Sequence, residues 1–294
     1  MTGERLVLLL SLPALTLGGC TRDAASTTAA APSVERERLL RFWDRFSAAT
    51  TARIGHDLAE ARDLYREALT LDPKHEDCLY YLGQCERELK RPAEARRAFE
   101  LLVEVNPASG RGHLALGALL ASPDPSEPMN LAVAEKQFRR AHEINGEETG
   151  PMMLLGEVLM LEGKLGEARR WFESALRTNP RSVEAPFLVG YLTWESGDPG
   201  GALRFAQRAR EAAKVQAPVK GVLSEGDRKD LKFVAAPPLT NPMGRMLFGE
   251  LAGFVREGAR AGRGASDSDF VVAWRSVQRA RREYERRVAG GRPS

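Results

Sequence analysis

Between residues 58 and 216 the apolar side chains fall into short helical stripes separated by polar breaks. In 76–90 one face carries Leu79, Leu82 and Gly83, at i, i+3 and i+4, which is the spacing of one side of an α-helix. Arg91-Pro92 interrupts that stripe, and proline suits the first turn of a following helix. In 92–105 Ala95, Phe99 and Leu102 form the next stripe. Asn106-Pro107 ends it, because proline cannot continue a helix and restricts the residue before it. The pattern predicts two short amphipathic helices joined by a tight turn.

The pair recurs. Glycine stands at Gly83, Gly117, Gly156 and Gly190, and alanine at Ala61, Ala95, Ala134, Ala168 and Ala202. An aromatic follows the alanine by four residues at Tyr65, Phe99, Phe138 and Phe172, and lapses to Ala206. A further small or apolar residue stands at Ala68, Leu102, Ala141, Ala175 and Ala209, and Pro73, Pro107, Gly146 and Pro180 close the units. The step is 34 residues, with a single step of 39. The small residues let two helices approach, and the aromatic fills the space that their smallness leaves. Neither helix can bury its stripe alone, so the units must stack. The long step lies between Gly117 and Ala134 and contains Pro123, Pro125 and Pro128. Three prolines in six residues predict a stiff loop protruding between the two helices of the third unit.

These registers resemble the tetratricopeptide repeat. Units 76–109 and 149–182 match best, 110–148 matches with Gly146 for its closing proline, and 183–216 lacks the aromatic. The first unit, about 42–75, keeps only its second helix well. The resemblance covers about 175 residues. It implies an all-α solenoid of about five helix-turn-helix repeats over 34–216, with 217–294 as a helical C-terminal extension. It also implies that the first helix of each unit lines a concave groove for a protein or extended peptide. The groove positions are then Tyr80, Gln84 and Arg87 in the second unit and Arg111, Leu114 and Ala118 in the third. The fourth supplies Met153, Glu157 and Met160, and the fifth Phe187, Tyr191 and Trp194. The last three share one helical face at i, i+4 and i+7. Aromatics with a few arginines suit binding hot spots, and methionine suits adaptable apolar contact. Either an external ligand or the C-terminal helices could cover this face.

The amino terminus is of another kind. Leu6–Leu17 is an apolar run that rises about 18 Å as helix, against a hydrocarbon core of about 30 Å. It suits a signal-peptide core better than a membrane span. Leu17-Gly18-Gly19-Cys20 resembles the bacterial lipobox. That resemblance implies a signal peptide over 1–19, lipid on Cys20 and effectively permanent anchoring by several acyl chains. Thr21 stands where aspartate would favour inner-membrane retention, so the expected location is the outer membrane, facing the periplasm. The Ala/Ser/Thr-rich segment after Cys20, to residue 33, predicts a flexible tether with an end-to-end distance of about 20 Å.

Beyond the array, 217–240 predicts an irregular connector. Asn241-Pro242 marks a helix start, with Met243, Leu247, Leu251 and Phe254 as its stripe. A final helix over about 268–288 carries Phe270, Val271, Trp274, Val277, Tyr284 and Val288 on one side and several arginines elsewhere. It suits a cap on the open end of a solenoid, or a basic helix on anionic lipid.

Composition narrows the chemistry. The chain has 294 residues, 43% hydrophobic and 28% charged, with a net charge of +3. That charge is small and spread, so a nucleic-acid partner is not expected. Cys78 and Cys85 lie seven residues apart on one predicted helix, about 10.5 Å between α-carbons, beyond the roughly 7 Å of a disulfide. His56, His75, His113 and His142 are scattered over different units, and no nucleophile elbow, phosphate loop or dinucleotide fingerprint is present. No catalytic residue, metal site or cofactor is expected. The functional classes left are an envelope scaffold with a groove for a partner, a structural spacer whose groove is self-occupied, and, furthest behind, an enzyme with a site between array and C-terminal helices.

Overall fold

A computed structural model describes residues 31–122, 129–216 and 266–290. Every regular element among them is an α-helix. Five antiparallel pairs follow in order: α1 (Ala31–Ile54) with α2 (Leu58–Leu71), α3 (Glu76–Glu88) with α4 (Pro92–Val105), α5 (Gly110–Leu120) with α6 (Leu131–Ile144), α7 (Thr149–Leu161) with α8 (Leu165–Thr178), and α9 (Glu184–Glu195) with α10 (Pro199–Gln216). The eleventh helix, α11 (Asp267–Gly290), packs back on the array. The architecture is a tetratricopeptide-type α-solenoid. α1 begins at Ala31, three residues inside the segment expected as tether, and is regular where the repeat pattern was weak. Cys20, the 1–19 signal segment and the 241–260 helix lie outside the described residues.

The ladder of glycines works by close approach. A Cβ built on Gly156 would lie 2.5 Å from a ring carbon of Phe172, and one on Gly117 2.7 Å from Phe138. Gly83 meets Phe99 in the same way. The three phenylalanines are wholly buried, as are Tyr65 and the paired alanines Ala61, Ala95, Ala134 and Ala168. Gly156→Ala is expected to destabilise the chain by about 1–3 kcal/mol through overpacking. Thermal unfolding beside Gly166→Ala, which has open space, measures this. Equal melting temperatures would refute the packing role.

The turn inside each unit has its own register. His56, Lys90, Gly163 and Gly197 all have positive φ, between 61° and 89°, and occupy equivalent places. Only two of the four are glycine, so the turn geometry is imposed by the helix pair rather than by the residue. The third unit places its insertion there. Residues 123–128 lie outside the described residues, but Asn130 donates its backbone N–H to the Leu120 carbonyl at 2.9 Å. The insertion therefore leaves and rejoins the array at one point. Asn130 then caps α6 by accepting from the Val133 N–H, as Asp57 and Ser109 cap α2 and α5.

Cys78 and Cys85 are free and buried in the core of the first two units. Burial pushes their thiols up to about 12 and about 11, so both are inert at neutral pH. His113 is packed, with its ring nitrogens 2.7 Å from the Gln137 carbonyl oxygen and 3.1 Å from that of Pro107.

Candidate partner-binding groove

The first helices of the units show a gradient along the array. On α3, Tyr80, Gln84 and Arg87 are half-buried, and on α5 Arg111 is exposed, Leu114 half-buried and Ala118, against expectation, buried in the core. Arg111 pairs with Asp77 and stacks its guanidinium 4.9 Å from the centre of the Tyr80 ring. This end presents an aromatic–cationic surface to solvent. On α7 and α9 the same register positions are enclosed. Glu157, Met160, Phe187 and Tyr191 are almost wholly buried, and Met153 and Trp194 are partly so.

α11 encloses them. Its residues Phe270, Trp274 and Val277 have no exposed surface. Trp274 donates its indole N–H to the Phe187 carbonyl at 3.2 Å, with ring contacts to Phe187, Trp194 and Phe270. Arg281, nearly buried, pairs with Glu195 at the end of α9 and lies 3.5 Å from Glu285. At its start, Asp267 pairs with Arg210 of α10 at 2.9 Å. Further along, Tyr284 donates to the Met129 sulfur at 3.3 Å. Burial pushes the Tyr284 phenol up to about 12, and burial beside Glu195 pushes that of Tyr191 up as well. α11 thus crosses from α10 over α9 to α7 and the start of α6.

The lapse in the ladder is explained here. In unit five Ala206 stands where the other units have an aromatic, and a Cβ on Gly190 would lie 2.7 Å from a ring carbon of Trp274. α11 supplies the missing knob from 68 residues further along the chain. The enclosure also had a signal in sequence. α7 (TGPMMLLGEVLML) and α9 (EAPFLVGYLTWE) are apolar all round, the mark of a helix covered on every side. No signal of that kind identified the Glu195–Arg281 pair, which joins residues 86 apart in sequence.

Several buried polar atoms of this interface lack a hydrogen bond, among them the Tyr191 hydroxyl, one Glu195 oxygen and the Arg281 Nε, and Glu157 lacks one at both carboxylate oxygens. Glu157 is 0% exposed. Burial pushes its pKa up to about 8. Among the described residues no group of three or more His, Cys, Asp or Glu side chains is placed to hold a metal. No helix there is long and apolar enough to cross a membrane.

A solenoid with this ladder defines a class, the helical-repeat proteins of tetratricopeptide type. Residues 55–119 and 153–217 match tetratricopeptide repeat models, and these two segments are such repeats. The chain is similar to tetratricopeptide repeat protein 7B of Homo sapiens, at 29% identity over 131 residues, which is 45% of this chain. That match spans only 15% of the length of the relative. Among solved structures it is similar to MamA, with a TM-score of 0.54 at 20% identity over 63% of this chain and 98% of that one. It is also similar to YrrB, described as a TPR protein with an unusual peptide-binding site, with a TM-score of 0.50 at 22% identity over 62% of this chain and 92% of that one. At these identities the structures establish the fold alone.

Proposed function

We propose that this chain is a lipid-anchored scaffold of a bacterial cell envelope, held in the membrane through Cys20, whose concave groove takes a partner protein or peptide. The observation that carries the groove reading is that the first-helix face of the last units, through Phe187 and Trp194, holds a helix, α11, that is not part of the repeat series. A face that accepts one helix through Phe187, Tyr191 and Trp194 has the chemistry to accept another. The open end at Tyr80, Gln84, Arg87, Arg111 and Leu114 extends the same surface. The peptide-binding site of YrrB is consistent with this use of the fold. The anchor reading rests on the lipobox resemblance. It is supported by α1, where Leu39, Leu40 and Trp43 are exposed on one face a short distance in sequence from Cys20. Such residues suit the headgroup layer.

A second reading has its own observation. Trp274 completes the packing of unit five, so α11 could be a permanent part of the array and the molecule a spacer. The deciding experiment is recovery of cross-linked partners from intact membranes by the wild type and by Tyr191→Ala/Trp194→Ala. At least one protein should be lost from the double variant. Identical recovery would remove the groove reading. Separately, Cys20→Ala should move the chain from the membrane fraction to the soluble fraction, and unchanged membrane association would remove the anchor reading.

A further inference from the structure

Glu157 occupies the place in α7 that Tyr191 occupies in α9 and Gln84 in α3. At this register Gln84 is half-exposed, the small Ala118 of α5 is buried, and Glu157 and Tyr191 have no exposed surface. α11 packs against α7 as well as α10, so Glu157 lies in register with Tyr191 on the face that α11 crosses. α11 answers the other acid of this face, because Arg281 pairs with Glu195. It brings nothing to Glu157, whose oxygens both lack a partner. The neighbours of Glu157 on α7, namely Leu155, Gly156 and Val158, are apolar or small and buried. A face meant only to seat α11 would carry an apolar side chain there as well, since enclosing an acid without a partner opposes docking.

We infer that the groove beneath α11 is a site for an amphipathic helix that brings a lysine or arginine side chain to Glu157, with α11 as its displaceable stand-in. The inference rests on the groove reading proposed above and names the chemistry of the partner. Aromatic and aliphatic side chains on one face of the incoming helix replace Phe270, Trp274 and Val277. One basic side chain pairs with Glu195 as Arg281 does, and a second pairs with Glu157. In a site closed to water a charged pair with direct hydrogen bonds is far stronger than at the surface, and an acid left alone there is the larger penalty. The incoming helix therefore gains where α11 leaves a whole carboxylate unpaired.

Synthetic helices provide the test. Peptides with the sequence of residues 266–290 are made unmodified and with single lysines in place of Ala273, Val277, Ala280 or Tyr284, all on the array-facing side of α11. Each is fluorescently labelled and titrated onto the full chain and onto its Glu157→Gln variant. The expected result is that one lysine peptide binds the wild-type chain at least tenfold more tightly than the unmodified peptide, and that Glu157→Gln erases the advantage. If the unmodified peptide binds and no lysine peptide improves on it, the cationic partner is wrong and the groove stands. If no peptide binds, the groove reading fails, and this inference with it. Circular dichroism of the Glu157→Gln chain confirms that it is folded, so a lost advantage cannot be read from an unfolded array.

Discussion

Trp274→Ala is expected to detach α11 from the array while leaving the repeats folded. The indole is wholly buried, fills the space above Gly190, and hydrogen-bonds the Phe187 carbonyl. Removing a buried tryptophan side chain costs about 3–5 kcal/mol. What would remain to hold the helix is Phe270, Val277, Tyr284 with its bond to Met129, and the ion pairs to Glu195 and Arg210. Exposed pairs contribute little, and Arg210–Asp267 is of that kind, with Asp267 63% exposed. Hydrogen exchange should show amides 267–290 losing protection. Those of α3 to α8, whose contacts do not involve Trp274, should keep theirs. The uncovered Phe187, Tyr191 and Trp194 should bind a hydrophobic dye. If α11 keeps its protection, the single ring is not its main attachment. If protection is lost throughout the array, α11 is a structural member of the solenoid and the spacer reading gains.

Most of this architecture was legible because a repeat states its contacts several times. Gly83, Gly117 and Gly156 each face the aromatic that the register assigns to them, so sequence gave both members of the contact. The five units and the loop position followed from the same spacing. The groove was legible only in part. Register named Glu157, Phe187, Tyr191 and Trp194 as facing one side, but what lies on that side depends on a helix beginning at Asp267, beyond a long connection. Periodicity carries no information about pairs of that separation. The missing aromatic at Ala206 and the all-round apolar α9 did mark that something else must complete unit five. Neither could identify Trp274 as the residue that does so, or show that Glu157 would be left without a partner. The first unit differs for another reason. Its helix α1 continues to Ala31 on residues such as Glu35, Arg36, Glu37 and Arg38, which favour helix without any repeat signature.

The docking of α11 should weaken as pH rises, through Glu157. Burial holds its pKa at about 8 in the closed array, against the ordinary 4.5 it regains when α11 leaves and water enters. A raised carboxyl pKa means that the closed state binds the proton more tightly than the open state. Below about pH 4.5 both states are protonated, and the group does not bias docking. Between 4.5 and 8 the open state ionises while the closed state does not, so docking loses free energy steadily. Above 8 both are ionised and the loss is complete. Its upper limit is on the order of 5 kcal/mol, if release solvates the group fully. The other ionisable groups of the interface include Tyr191 and Glu195 on α9, Arg210 on α10, Asp267, Arg281, Tyr284 and Glu285 on α11, and Glu162 just beyond α7. Both tyrosines are pushed upward by burial, so they remain neutral through this window. Exchange protection of amides 267–290, corrected for the intrinsic pH dependence of exchange, should fall from pH 5 to pH 8 in the wild type. In Glu157→Gln, which has no proton to lose, it should stay level or change only by what the remaining groups contribute. Equal profiles would show that the enclosed carboxyl does not report on the closure of the groove. A slope confined to the wild type would make the groove easier to open at neutral than at acid pH, and would place the control of that opening in one side chain of α7.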